Sequence, residues 1–136
     1  MPSAEKVRTI AANVNLPKLP EDGKAIVYVV RPSSLGFLFK FNVFLDDKKP
    51  TSEMGYTKSS QYIYFNVQPG IHKILSKAEN WATHDITANA GDILFLRQEP
   101  AMGVVIARNN LTSLEESYGK YFVSTLSIGH IKQMDK

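Results

Sequence analysis

"QYIYFNVQPGIHKILSK", residues 61–77, is the stretch on which the fold turns. In its first half Ile63, Phe65 and Val67 alternate with Tyr62, Tyr64 and Asn66. Successive side chains on a strand point to opposite faces. The alternation therefore predicts a half-buried strand, with the aliphatic row inward and the amphipathic tyrosines on the wetter face. Gln68-Pro69-Gly70 supplies a turn, because the proline ring fixes φ and glycine tolerates positive φ. Residues 71–79, IHKILSKAE, read as the returning strand.

The same signal continues on both sides of this hairpin. Residues 25–31, AIVYVVR, are a β-branched and aromatic run without alternation, which predicts a strand buried on both faces. In residues 41–46, Phe41, Val43 and Leu45 share one face, with Asn42 and Asp46 opposite, and Asp46 to Pro50 forms a turn. Phe37 and Phe39 extend the same period-two row, so the second strand is expected to start near Phe37. Short strands follow at residues 84–92, 93–98 and 103–108. Strand-length runs with a turn signal about every ten residues mark an antiparallel sandwich or barrel. Thr112-x-x-Glu115 and Ser113-x-x-Glu116 are overlapping capping boxes, and Leu111, Leu114, Tyr118 and Tyr121 recur at helical spacing. Gly119 is a candidate early stop, and residues 122–131 read as extended. The expected fold is mainly β: an antiparallel β-sandwich with one short C-terminal helix.

At the other end, residues 4–14 have the spacing of a short helix. Residues 15–23 hold two prolines and Asp22-Gly23. Proline lacks the donor N–H and disfavours helix at the residue before it, so this segment reads as an extended linker. Residues 1–23 are thus an N-terminal arm or tether, and 24–136 a single domain; the alternative is an arm packed onto that domain.

Composition narrows the function. The 136 residues suit one domain, and 43% hydrophobic with 21% charged residues is the balance of an ordinary globular protein. The formal charge is +3, with basic residues spread along the chain and Lys48-Lys49 the one adjacent Lys/Arg pair. Nucleic-acid binders concentrate positive charge on one face or run, so nucleic acid is not the expected partner. The absence of cysteine removes disulfides, thiolate metal sites and cysteine nucleophiles. No apolar run approaches the ~20 residues that span a bilayer. The first residues carry Glu5 and lack the apolar core of a signal peptide.

The order AIVYVVRPSS, FNVFLDDKK, YIYFNVQPGIHKILSKAEN, ITANAGDILFLRQ closely resembles a bacterial domain family of unknown function, the one numbered 2846. The resemblance covers about residues 24–110, and Arg31-Pro32-Ser33-Ser34 with the Pro69-Gly70-x-His72 turn are its most specific pieces. It implies a small β-sandwich domain, often placed behind a lipoprotein export signal with a lipidated cysteine, and no known enzymatic activity. The missing cysteine and signal depart from that pattern. On this reading residues 1–23 are the remainder of a spacer between anchor and domain. The implied setting is the periplasm or outer membrane, with an envelope protein or surface component as partner and membrane attachment only through the tether. The alternative setting is the cytoplasm.

Candidate site residues are few. Arg31, Arg97 and Arg108 stand at or near strand ends, where a guanidinium can grip an anionic ligand bidentately if two of them converge. Leu35 and Leu38 are left over when Phe37 and Phe39 are assigned to the core, which makes them candidates for partner or membrane contact. Trp81, expected in a loop, is a third contact candidate, although a loop cap over the core is the simpler role. His72, His84 and His130 show no compelling metal-ligand spacing apart from the adjacent His84-Asp85 pair. A metal site would need His72 and His84 to face each other on neighbouring strands, and the simpler expectation is that His72 hydrogen-bonds near the Pro-Gly turn. There is no Gly-x-Ser-x-Gly elbow and no Gly-rich phosphate loop. No catalytic residue, metal or cofactor is implied. The expected function is a non-catalytic envelope module; a small-ligand or anion-binding domain and a docking domain acting through residues 35–39 are the alternatives. An unpaired edge strand leaves homo-oligomerisation open.

Overall fold

The computed structural model describes residues 2–103 and 107–136. The chain runs through α1 (Ala4–Ala11), β1 (Ala25–Arg31), β2 (Phe41–Leu45), β3 (Glu53–Thr57), β4 (Gln61–Val67) and β5 (Gly70–Lys77). It continues through β6 (Trp81–Ala88), β7 (Ile93–Ala101), β8 (Arg108–Leu114), α2 (Glu116–Thr125), β9 (Ser127–Ile128) and β10 (His130–Ile131). Two five-stranded sheets result, β8-β7-β1-β4-β9 and β10-β3-β2-β5-β6, and they pack as a sandwich. The second sheet is antiparallel throughout, whereas in the first β1 pairs parallel with β7 and β4 parallel with β9.

Two cores explain why the seven residues of β1 are all buried. Val27 and Val29 point between the sheets, where they meet Val43, Met54, Ile63 and Phe65. Ile26, Tyr28 and Val30 point the other way, into a second core closed by Phe122 and Val123 of α2. A strand covered on both faces loses alternation, as residues 25–31 do. The same covering corrects the reading of β4. Its tyrosine row is not on a wet face: Tyr62 and Asn66 are buried and Tyr64 half-buried, beneath α2 and the N-terminal arm.

Residues 2–23 lie on the domain. Ser3 caps α1 by accepting from the Lys6 N–H, and α1 packs on α2 with Val7 fully buried. The extended stretch after it is pinned twice. The Tyr28 hydroxyl donates to the Lys18 carbonyl and accepts from the Lys18 N–H, while the Glu21 N–H donates to Asn66 Oδ1.

Further expectations are corrected. Residues 108–114 form strand β8 against β7, so Leu111 and Leu114 face opposite cores rather than one helical stripe. The Thr112 and Ser113 capping boxes go unused; α2 begins after Glu115, whose side chain makes no capping bond. Gly119 does not stop the helix. It sits within α2, where a β-carbon would lie 2.2 Å from the Phe95 ring. Residues 122–125 finish α2 instead of running extended. Strand β3 had no expectation at all, and half of the strand expected at 103–108, residues 104–106, lies outside the described residues.

After α2 the chain straps the open side of the sandwich. Ser127 and Ile128 pair with Gln61 and Tyr62 of β4; Gly129 crosses over; His130 and Ile131 pair with Tyr56 and Gly55 of β3. Gly55 has φ +153, and a β-carbon there would sit 2.2 Å from the His130 carbonyl oxygen. The Asn66 N–H donates to the Met134 carbonyl and the Lys132 N–H to that of Met54, so the strap ties both sheets.

Candidate functional site

The connection between β1 and β2 runs from Pro32 to Lys40, and its centre, residues 35–38, is a turn. Strand β2 does not begin at Phe37. Leu35, Phe37 and Leu38 are 47%, 63% and 76% exposed, which overturns the core assignment of Phe37, and Phe39 is only half-buried. Gly36 makes the turn, with φ +69 and only 2.9 Å between the place of a β-carbon and the Ala107 side chain. Met102, 81% exposed, follows Pro100 and Ala101 on the connection that Gly36 touches. Large apolar side chains from two connections are therefore exposed at one end of the sandwich.

Arg31 holds this loop. It is fully buried, on the inward row of β1 with Val27 and Val29. Nη1 donates to the carbonyls of Phe39 at 2.8 Å and Thr57 at 2.9 Å; Nη2 donates to that of Gly36 at 3.0 Å. Its guanidinium carbon lies 3.8 Å from the centroid of the Phe41 ring. Burial pushes the guanidinium down from its ordinary value to about 10, so the buried group keeps its charge at neutral pH. The inner core is polar beside it. Thr57 Oγ1 bonds Gln98 Oε1, and Gln98 Nε2 donates to Ser76 Oγ at 2.8 Å.

The three arginines do not converge. Arg97 follows Leu96 on β7 and so faces outward, 5.4 Å over the Phe122 ring and 3.4 Å from a Glu99 oxygen. Arg108 is half-exposed at the start of β8, 4.0 Å from Glu79. One guanidinium is spent on main-chain carbonyls inside the sandwich, one faces the helical layer, and one stands at the rim.

Trp81 is not in a loop. It opens β6 on the outer face of the second sheet, edge-on to Phe44, with the Lys48 and Lys77 ammonium groups 4.8 and 5.6 Å from its centroid. His72 bonds near the Pro-Gly turn as expected, through Nε2 to the Gln68 carbonyl at 2.7 Å; Nδ1 lies 3.0 Å from Asp46 Oδ1. His72 and His84 share a sheet face but are out of register, opposite Ile86 and Ile74 respectively. Among the described residues no three His, Cys, Asp or Glu groups are placed to hold a metal ion.

A cleft of about 390 Å³ opens at the end of the sandwich away from the apolar loop, bounded by Asp46, Asn66, His72, Asp135 and Lys136. Its charges already answer one another. Asp46 faces His72, Asp135 takes Lys24 at 2.8 Å, and Lys136 donates to Asp47 and to the Leu45 carbonyl.

Fold and site together define a helix-backed β-sandwich that presents an anchored apolar loop. The family model described as "Protein of unknown function (DUF2846)" matches residues 21–110, and the chain belongs to that family. It is also 29% identical over 110 residues to an uncharacterized protein of Haemophilus influenzae. That alignment covers 80% of this chain and 63% of the relative, so the chain spans less than two thirds of the relative's length.

Proposed function

We propose that the domain is a non-catalytic module of the bacterial cell envelope that docks onto another envelope component through residues 35–39. The observation that carries this reading is the pairing of exposed Leu35, Phe37 and Leu38 with the buried Arg31 that fixes their backbone. A loop left apolar for want of selection needs no charged anchor in the core, and exposed apolar patches without a partner invite aggregation. The envelope setting draws on the lipoprotein-like context that the family resemblance implies. The anion-binding alternative loses its basis with the separation of Arg31, Arg97 and Arg108.

The test pairs fractionation with substitution. Mass spectrometry of the mature N-terminus from fractionated producing cells should find the protein processed and in the envelope fraction. Leu35→Ser with Leu38→Ser should release it from a pre-formed complex with its partner while changing stability by less than about 1 kcal/mol, as surface substitutions do. An unprocessed cytosolic protein, or a loss of several kcal/mol in that double variant, would sink the proposal.

A further inference from the structure

We infer that the component met by the apolar loop is the surface of an anionic lipid bilayer, with Phe37, Leu38 and Met102 entering the headgroup region and Lys40, Lys58 and Arg108 set against lipid charge. This rests on reading residues 35–39 as a contact surface.

The position of the cations follows from the Arg31 anchor. Its guanidinium draws the carbonyls of Phe39 and Thr57 to one point, and Lys40 and Lys58 are the next residues along the chain from each. Lys40 and Lys58 are exposed; the Lys40 ammonium stands 4.7 Å over the Tyr56 ring, a contact that leaves its charge in place. Arg108 follows Ala107, the residue that Gly36 touches. Cations thus stand beside the exposed Leu35, Phe37 and Leu38.

Charge is partitioned along the sandwich. At the apolar end Glu79, 4.0 Å from Arg108, is the acid among the described connections, and Glu99, nearby on β7, faces Arg97. Asp22, Asp46, Asp47, Asp92 and Asp135 gather in the turns and tail of the opposite end, interleaved with lysines. The apolar end therefore carries unbalanced positive charge around greasy tips. A second copy of the chain would bring Lys40 and Lys58 against their own counterparts, which disfavours self-association through this face. An anionic bilayer offers both halves of what the face needs: a negative surface for the lysines and an interfacial apolar layer for the loop tips.

The experiment is co-sedimentation of the full chain with vesicles of phosphatidylglycerol and phosphatidylethanolamine, against vesicles of phosphatidylcholine. Binding is expected to the anionic vesicles and to weaken with salt. Lys40→Gln with Lys58→Gln should weaken it roughly 30-fold, at about fivefold per cation. Phe37→Ser with Leu38→Ser should weaken it about 100-fold. Thermal melts confirm that both variants stay folded, since all four side chains are exposed. Equal binding to both vesicle types, or binding indifferent to both pairs, would overturn the inference. A photo-crosslinking Leu38→p-benzoylphenylalanine variant in producing cells separates the two failures. A protein adduct without vesicle binding ends the bilayer inference and leaves the docking reading standing; no adduct and no vesicle binding ends both.

Discussion

Arg31→Met removes the guanidinium while keeping an apolar stem of similar reach. Three hydrogen bonds from a charged donor to main-chain carbonyls are lost, each worth about 1.5–3 kcal/mol. Against this, the variant is spared the cost of holding a cation out of water. The burial that lowers the guanidinium's pKa to about 10 places that cost at roughly 3 kcal/mol. The balance is a net loss of about 3 kcal/mol. Arg31→Lys is the sharper variant, because one ammonium cannot reach the Gly36, Phe39 and Thr57 carbonyls together yet still suffers the burial. It should be at least as unstable as Arg31→Met, which no argument from charge alone would give. Urea unfolding measures the loss. Hydrogen exchange should show the Phe39 amide, which donates to the Gly36 carbonyl, released in both variants, with the amides of β5 and β6 unchanged. An Arg31→Met protein within about 0.5 kcal/mol of the parent, with its Phe39 amide still protected, would refute the anchoring argument.

Three more outcomes follow from the packing. Tyr28→Phe removes both bonds to Lys18 and should cost about 1–2 kcal/mol and increase proteolysis within residues 12–20. Burial also pushes the Tyr28 hydroxyl up to about 12 from 10; its contribution is whole below pH 10 and is lost between pH 10 and 12, so Tyr28→Phe should flatten that part of an alkaline stability profile. Gly119→Ala should lower the melting temperature by several degrees: a β-carbon 2.2 Å from Phe95 costs about 1–3 kcal/mol, more than the ~1 kcal/mol of helix propensity it gains. A higher Tm would contradict the close packing of α2. The Asp47 carboxyl is held well below the usual carboxylate range by the Ser52 hydroxyl, the Lys49 N–H and Lys136. Its contribution is present above pH 4 and drains away as acid protonates it, so Asp47→Asn should blunt the fall in stability below pH 4, read by denaturant melts across that range.

What could be read in the chain depended on whether one contact pattern ruled each stretch. In residues 61–67 the aliphatic row faces the other sheet, and period two survives; in β1 both faces are covered, and its absence is itself the signal. Strand β3 escaped because Gly55 and Glu53 interrupt any apolar row, and Gly55 is there to let the strap pass rather than to pack. Residues 111–121 misled because helical spacing and capping residues are local, while pairing with β7 is not. The row Phe37, Phe39, Phe41, Val43, Leu45 is real, yet Arg31 takes the carbonyls of Gly36 and Phe39 and strand pairing starts only at Phe41. Arg31 grips main-chain carbonyls rather than an anionic ligand. Its place two residues after Val29, on the inward parity of β1, was the clue that it points into the protein and not toward a ligand. Trp81 and the separation of the arginines needed the tertiary arrangement, which no single strand discloses.

The strap also sets an order in time. Lys24 and Asp135 meet across 111 positions, and β3 and β4 are translated long before the residues that run between them. While the chain grows from its N-terminus, the flank formed by these two strands stays open, with the backbone of Met54, Tyr56, Tyr62 and Asn66 available to any extended peptide nearby. A nascent chain halted before Ser127 is thus an adhesive half-product, whereas the finished one has sewn its own seam shut.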